Sequence, residues 1–251
     1  MSNTWGSKVL DGFDGSATQY NRAARLQKAM AWRIAGHCQR LPIPSGRWLD
    51  LGSGTGLLAD ALEHRHPGKI VERIDGSPSM LACCTRQDQT QLWDLNQPLP
   101  LWRDQPTLIA SSFCLHWLSD PATTLRHWFE RLAPNGWLIV ALPIEGCFPQ
   151  WHAAASQASV PCSALHFPSS KDLIALLPNE QIRRQEKLSF SEQANHITAL
   201  LGPMKAIGAG TSTCASLSVK QWRQLNTDWP ARCAEGRIKL TWVIQLLMIE
   251  R

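Results

Sequence analysis

The chain has 251 residues, a formal net charge of +5, 18% charged and 44% hydrophobic side chains. That length builds one sizeable core, so one α/β domain with an insertion is expected rather than two independent domains. No apolar run approaches the ~20 residues of a membrane helix, and Met1 to Asp14 shows neither a basic nor an apolar leader region; this argues against a spanning segment and makes the cytoplasm the expected compartment.

In chain order, residues 15–38 read as an amphipathic helix with Tyr20, Ala24, Met30, Ala31 and Ile34 near one face. Leu41-Pro42-Ile43-Pro44-Ser45-Gly46 breaks the chain before a strand at 47–51, which runs through Gly52-Ser53-Gly54-Thr55-Gly56 into a helix ending near His64. A strand at 70–75 follows, then a helix from Ser77-Pro78 to about Asp88, a short strand at 90–93 and a strand at 107–112. A helix from Asp120-Pro121 to Leu132 and a strand at 137–142 close this half. Strands alternating with helices predict a mostly parallel sheet covered on both faces. From Pro143 to about Asp228 small residues and prolines predict a helical cap with one strand near 182–190, and Lys239 to Ile249 reads as a terminal strand buried on both faces. The expected parts are therefore 1–46, a helical segment over the site; 47–142, the ligand-binding core; 143–228, the cap; and 229–251, the strand completing the sheet.

The glycine turn is the first chemical signal. Glycines at a strand-to-helix turn let a ligand approach the main chain, and the N–H groups of the next helix face the same space. The spacing here is G-x-G-x-G behind Asp50, whereas dinucleotide binders use G-x-G-x-x-G to seat a pyrophosphate. A carboxylate at Asp50 repels a pyrophosphate and suits a ligand carrying a sulfonium and an ammonium, namely S-adenosylmethionine. Asp75, at the end of the second strand, stands near the offset at which an acid meets ribose hydroxyls. Asp94 ends the third strand, where a carboxylate can accept from an adenine amine. Ser111 leaves the fourth strand toward the same crevice, followed by His116 and Trp117, which are placed to wall a substrate site.

The eight cysteines show neither C-x-x-C nor zinc spacing, so buried thiols in a reducing compartment are expected, and no metal. Residues 1–46 carry six Lys/Arg against two Asp/Glu, residues 47–147 eight against eleven, and residues 148–251 eleven against seven. A mildly acidic core is thus flanked by basic segments able to steer an acidic partner.

The glycine motif, Ile74-Asp75-Gly76-Ser77-Pro78-Ser79-Met80-Leu81 and Leu132-Ala133-Pro134-Asn135-Gly136-Trp137 resemble the class I S-adenosylmethionine-dependent methyltransferases. That resemblance implies a Rossmann-like fold with a seven-stranded sheet, and a cofactor site drawn from Asp50, Gly52, Ser53, Gly54, Gly56, Asp75, Gly76, Ser77, Met80, Asp94, Leu95 and Ser111. Tyr20-Asn21-Arg22-Ala23-Ala24, Leu115-His116-Trp117, Phe167 to Leu173, Leu201 to Ala209 and the terminal Leu240-Thr241-Trp242 resemble, more narrowly, the malonyl-[acyl-carrier protein] O-methyltransferases of biotin synthesis. This implies a methyl ester formed on the free carboxylate of a malonyl thioester borne by acyl-carrier protein or coenzyme A, with no nucleic-acid or membrane partner. Tyr20, then His116 and Trp117, are the residues expected at the acceptor; Arg183, Arg184 and Lys205 are the candidates for a cation that holds its carboxylate. The alternatives are a free small acid, such as an aconitate-like molecule, as acceptor, a partner-binding protein that kept the fold without catalysis, and a nicotinamide-dependent dehydrogenase, which the glycine spacing disfavours.

Overall fold

The computed structural model describes residues 5–212, 214, 216–230 and 235–251. Seven strands form one sheet: β1 (Trp48–Leu51), β2 (Val71–Asp75), β3 (Thr90–Leu92), β4 (Leu108–Ser112), β5 (Trp137–Pro143), β6 (Ile182–Ala194) and β7 (Ile238–Glu250), in the spatial order β3-β2-β1-β4-β5-β7-β6. The first five run parallel, and β7 is antiparallel to both β5 and β6. The order reverses between β1 and β4, which opens a crevice at the carboxyl ends of those two strands, where open α/β sheets bind ligands.

Alternation along each strand assigns neighbouring side chains to opposite faces. Trp48, Leu108, Ile139 and Met248 join the core under α2 (Arg25–Cys38), α3 (Leu57–Arg65) and α6 (Pro149–Gln157). Leu49, Ile109, Leu138 and Leu247 join the core under α5 (Pro121–Glu130) and α7 (Ser170–Ile174). The terminal strand is buried as expected, yet it lies inside the sheet; β6 is the edge, and pairs with β7 from Ile182 to Ala194, further than the expected 190. Exposed Arg183, Arg184 and Glu192 along that edge discourage pairing with another chain.

Two helices depart from the sequence reading. The segment expected as one helix over 15–38 is two, α1 (Trp5–Ala23) and α2, separated at Ala24 with φ −78° and ψ 52°. The break lets α2 bury Met30 and Ile34 on the sheet while α1 lies over the crevice with Trp5, Val9, Leu10, Phe13 and Tyr20. One straight helix cannot meet both surfaces. The helix after Ser77 is also short, α4 (Pro78–Ala82), because the chain turns at Cys83 and Cys84 and sets the Cys84 thiol 3.4 Å from the Gly54 carbonyl. The cap contributes α8 (Ile197–Ala206) and α9 (Val219–Thr227).

Among the described residues no helix is long and apolar enough to cross a membrane, and no group of three His, Cys, Asp or Glu is arranged to hold a metal ion. Seven cysteines are free thiols; Cys233 lies outside the described residues.

Candidate active site

The glycine turn is held against the end of β2 by its own backbone. The N–H groups of Gly52 and Ser53 donate to the Ile74 carbonyl at 2.8 and 3.2 Å, and the Gly54 N–H donates to Asp75 Oδ2 at 2.8 Å. Gly52 has φ +70°, and a Cβ there would overlap the Cys114 side chain at 2.2 Å. Gly54 has φ +54°, and a Cβ there would meet nothing within 4 Å. One glycine is thus required by a packed neighbour, while the other leaves open space beside the main chain.

That space is a cavity of about 550 Å³. Of the residues singled out in the sequence, Gly52, Gly54, Asp75, Gly76, Met80, Asp94 and Leu95 line it together with Tyr20 and Trp117. Asp75 also accepts the Ser77 N–H on Oδ1 at 2.8 Å, and the Gly54, Gly76 and Ser77 N–H groups together leave part of its acceptor capacity free. Burial pushes its carboxyl above the ordinary range against the pull of these N–H groups. Asp94 Oδ1 accepts from the backbone and side chain of Asn96, and Asn96 Oδ1 accepts from the Ser119 N–H and hydroxyl, which ties the exits of β3 and β4 together. The lining carries two carboxylates and, among the described residues, no Lys, Arg or His. A cationic adenosine ligand fits that donor set, and a pyrophosphate does not.

Other sequence-predicted residues stand behind this wall. Asp50 does not face the cavity: it is 1% exposed and its Oδ2 accepts the Ala59 N–H, at 2.9 Å, in the first turn of α3. One free amide of the helix start holds Oδ2, and Oδ1 is buried without a partner. Burial raises its pKa to about 7, with the Ala59 hydrogen bond and Arg73 opposing. Gly56 caps α3 with φ +88°, and Ser53 is buried. The Ser77 hydroxyl caps α4 by accepting the Met80 N–H, and the Ser111 hydroxyl donates to the Leu51 carbonyl at 2.7 Å. These positions shape the turn and strand ends.

His116 belongs to a second, small cavity of about 20 Å³, room for about one water. Phe13, Tyr20, Phe113 and Trp117 line both cavities, so the small one adjoins the large one. Its polar members are Tyr20, Gln27 and His116; the rest are aromatic or aliphatic, including Phe167 and Trp242. Burial alone lowers the His116 pKa to about 3, so the ring is neutral at pH 7, and its Nδ1 has no hydrogen-bond partner. Burial first, then the charge of Asp75, raises the Tyr20 pKa, so it remains a phenol.

The three cations considered for the acceptor are elsewhere. Arg183 pairs with Glu250 at 2.7 Å and Arg184 with Glu186, both on the exposed edge strand, and Lys205 borders neither cavity. Sequence reasoning placed a helical segment over the site and led the β4 exit toward it, but missed the part of α1 before residue 15, Gln27, and Phe113 and Cys114 within that exit. The first left a trace, Trp5, Val9, Phe13 and Ala17 at i, i+4 spacing; Trp5 stacks on Trp117 at 6.2 Å and Phe13 meets it edge-on at 5.6 Å.

A seven-stranded sheet of this order, a glycine turn at its switch point and an acid-lined cavity define a class I S-adenosylmethionine-dependent methyltransferase. A family profile described as a methyltransferase domain matches residues 20–184, and the chain belongs to that family. It is similar to a malonyl-[acyl-carrier protein] O-methyltransferase of Alcanivorax borkumensis, 27% identical over 97% of this chain and 86% of the relative. A trans-aconitate 2-methyltransferase of Mycobacterium tuberculosis is 33% identical over 39% of this chain and 37% of its own. Among solved structures, the YcgJ protein of Bacillus subtilis shares the fold with a TM-score of 0.59 at 14% identity, covering 89% of this chain and 98% of that one.

Proposed function

We propose that the enzyme methylates the free carboxylate of a malonyl thioester, the opening step in building the pimeloyl part of biotin, with an acyl-carrier protein as the partner. The observation that carries this reading is the extent of similarity: it runs through the cap and the last strand to the malonyl-[acyl-carrier protein] relative, and stops at 39% of the chain for the aconitate enzyme. In this reading residues 1–46 and 143–228 cover the acceptor, 47–142 bind the cofactor, and 229–251 complete the sheet. The free thiols fit a cytoplasmic setting.

S-adenosylmethionine supplies an electrophilic methyl group on a sulfonium. Asp75 and Asp94 would hold its ribose and adenine, the Gly52 to Gly54 backbone would lie along it, and Met80 and Leu95 would pack the rings. A malonyl carboxylate is already ionised at pH 7, so no general base is needed. Tyr20, Gln27 and His116 would hold it as neutral donors in the small cavity, with Trp117 walling the junction. Bound there, the sulfonium would give up its methyl group to the carboxylate oxygen and keep the bonding electron pair, so no residue of this chain would have to move a proton. A negative and a positive charge vanish together, so a water-poor aromatic pocket favours the step, provided the reacting atoms are held in line at about 3–3.5 Å.

Incubation with methyl-labelled S-adenosylmethionine and malonyl-carrier protein, malonyl-coenzyme A or free dicarboxylates tests the reading. Label is expected in the thioesters. Label confined to free acids would install the aconitate-like acceptor in its place. Tyr20→Phe is expected to lower kcat/KM by roughly 10² with cofactor affinity kept, because the phenol aims the carboxylate in line with the methyl group and a small misplacement costs about that much; wild-type turnover would reduce Tyr20 to packing.

A further inference from the structure

A third cavity, of about 570 Å³, lies in the cap beyond the acceptor pocket. Leu165, Met204 and Ala209 line both, so the two spaces adjoin at these side chains. The three spaces therefore run in series: cofactor cavity, acceptor pocket, cap cavity. The middle one, with room for about one water, admits at most the carboxylate tip of an acceptor after its side chains shift, and its cofactor side is taken when the cofactor binds. The rest of a larger acceptor must leave past Met204.

The lining of the cap cavity describes what it takes. Ser163, Thr198 and Thr211 line it together with Trp151 and Trp222, and Lys205 is the only charged residue among the described lining. From Asn195 to Thr227 the sequence carries Lys205, Lys220 and Arg223 and no Asp or Glu, and all three cations are exposed. Such a cavity suits a flexible chain of amides and methylenes ending in an anion. We propose that it seats the phosphopantetheine arm of the malonyl thioester, with the thioester end toward the acceptor pocket and the phosphate end toward the outer, basic side of the cap, where Lys205, Lys220 and Arg223 are exposed. The inference rests on the function proposed above and adds the route by which the acceptor enters. It also gives Lys205 a place: it meets the carrier end of the substrate, and the methylated carboxylate lies on the other side of Met204.

Gly202 offers a test that leaves the fold intact. It lies within α8 on the cavity wall, its φ is not positive, and a Cβ there would meet nothing within 4 Å. Gly202→Trp should therefore fold and project an indole into the cavity. The readout is kcat/KM for malonyl-carrier protein and malonyl-coenzyme A, each relative to the truncated malonyl-N-acetylcysteamine thioester. Both ratios are expected to fall about tenfold or more in Gly202→Trp. Unchanged ratios in a folded variant, with the wild type active on all three, would overturn the arm site alone. A wild type inactive on every thioester would remove the proposed function, and this inference with it. Charge reversal by Lys205→Glu, Lys220→Glu and Arg223→Glu together separates the sources of the arm. A loss on the carrier that grows as salt is lowered, with a smaller loss on coenzyme A, assigns this basic side to an acidic carrier. Equal losses on both restrict it to the phosphate, and no loss on either overturns its role.

Discussion

On the function proposed above, the cofactor half and the acceptor half of the site are built on opposite plans. Around the cofactor, contacts come from backbone: glycines, strand ends, and Asp75 locked by the Gly54 and Ser77 amides. Around the acceptor, contacts come from side chains brought together from distant stretches. Phe113 meets Trp242 at 6.2 Å, Trp242 meets Phe148 at 4.5 Å, and Phe148 meets Phe167 at 5.6 Å. A backbone cradle tolerates few changes because its shape is its function. An aromatic wall can be re-lined without moving the sheet, which is a physical route by which related enzymes keep one cofactor and change acceptors.

The largest effect that sharpens this contrast is expected at Gly52. Gly52→Ala combines a left-handed backbone with overlap of Cys114 at 2.2 Å, and should cost about 3 kcal/mol or more by chemical denaturation, with loss of cofactor binding by calorimetry. Gly54→Ala carries only the left-handed strain, about 1–2 kcal/mol, and should stay folded while its methyl group intrudes on the cofactor. Equal destabilisation of the two variants would break the distinction between a glycine kept for packing and one kept for the ligand.

A smaller effect is expected from pH, and it separates a residue of the acceptor wall from one behind the cofactor turn. Burial lowers the His116 pKa from 6.5 to about 3, so between those values the unfolded chain binds a proton that the folded chain does not. Its contribution is complete above about pH 6.5 and is lost as the pH falls, amounting to about 2 kcal/mol by pH 5. Asp50 has the opposite sign. Its pKa is raised from 3.8 to about 7, so its contribution is present below about pH 4 and is lost as the pH rises through 7. Denaturant midpoints of wild type and His116→Phe between pH 8 and 5 read the difference: the gap between the two proteins should shift by about 2 kcal/mol in favour of the variant as the pH falls. A constant gap would mean that the ring is solvated.

The same contrast explains what was legible in the sequence. That Gly52, Gly54, Asp75 and Asp94 share one cavity was legible because a backbone cradle is written in local signals, a turn after a strand and an acid where a strand stops. Asp50 was found for the wrong contact. Its residue type and position match a ligand-facing acid, but an amide at the start of α3 holds its carboxylate, and that contact exists only once the helix is built. Gln27 and Phe113 left no such mark. A glutamine in a helix and a phenylalanine after a strand are ordinary in isolation, and they acquire meaning when the kink at Ala24 and the long pairing of β7 set them against Trp242. The kink itself was hidden because an alanine carries no breaking signal; only the two surfaces that α1 and α2 must cover demand it.

The smallest expected effect concerns the two arginines that the sequence offered as partners of the acceptor carboxylate. Arg183 is bound to Glu250 with its side chain 53% exposed, and Arg184 is bound to Glu186 with its side chain 47% exposed, both on β6 at the far edge of the sheet. Exposed pairs of this kind contribute about 0–1 kcal/mol, because water screens the attraction and ordering two long side chains offsets it. Arg183→Ala and Arg184→Ala should therefore shift the denaturation midpoint slightly and leave kcat/KM for the malonyl acceptor within about twofold of wild type, near the scatter expected for surface substitutions. The reason lies in the acceptor pocket. A full cation beside the carboxylate would stabilise the charged reactant more than the transition state, in which that charge is disappearing, and so would raise the barrier. The pocket instead offers a phenol, an amide and a neutral imidazole. A tenfold fall in kcat/KM for either variant would show that an arginine does reach the acceptor, and would replace the neutral-donor pocket with a conventional ion pair.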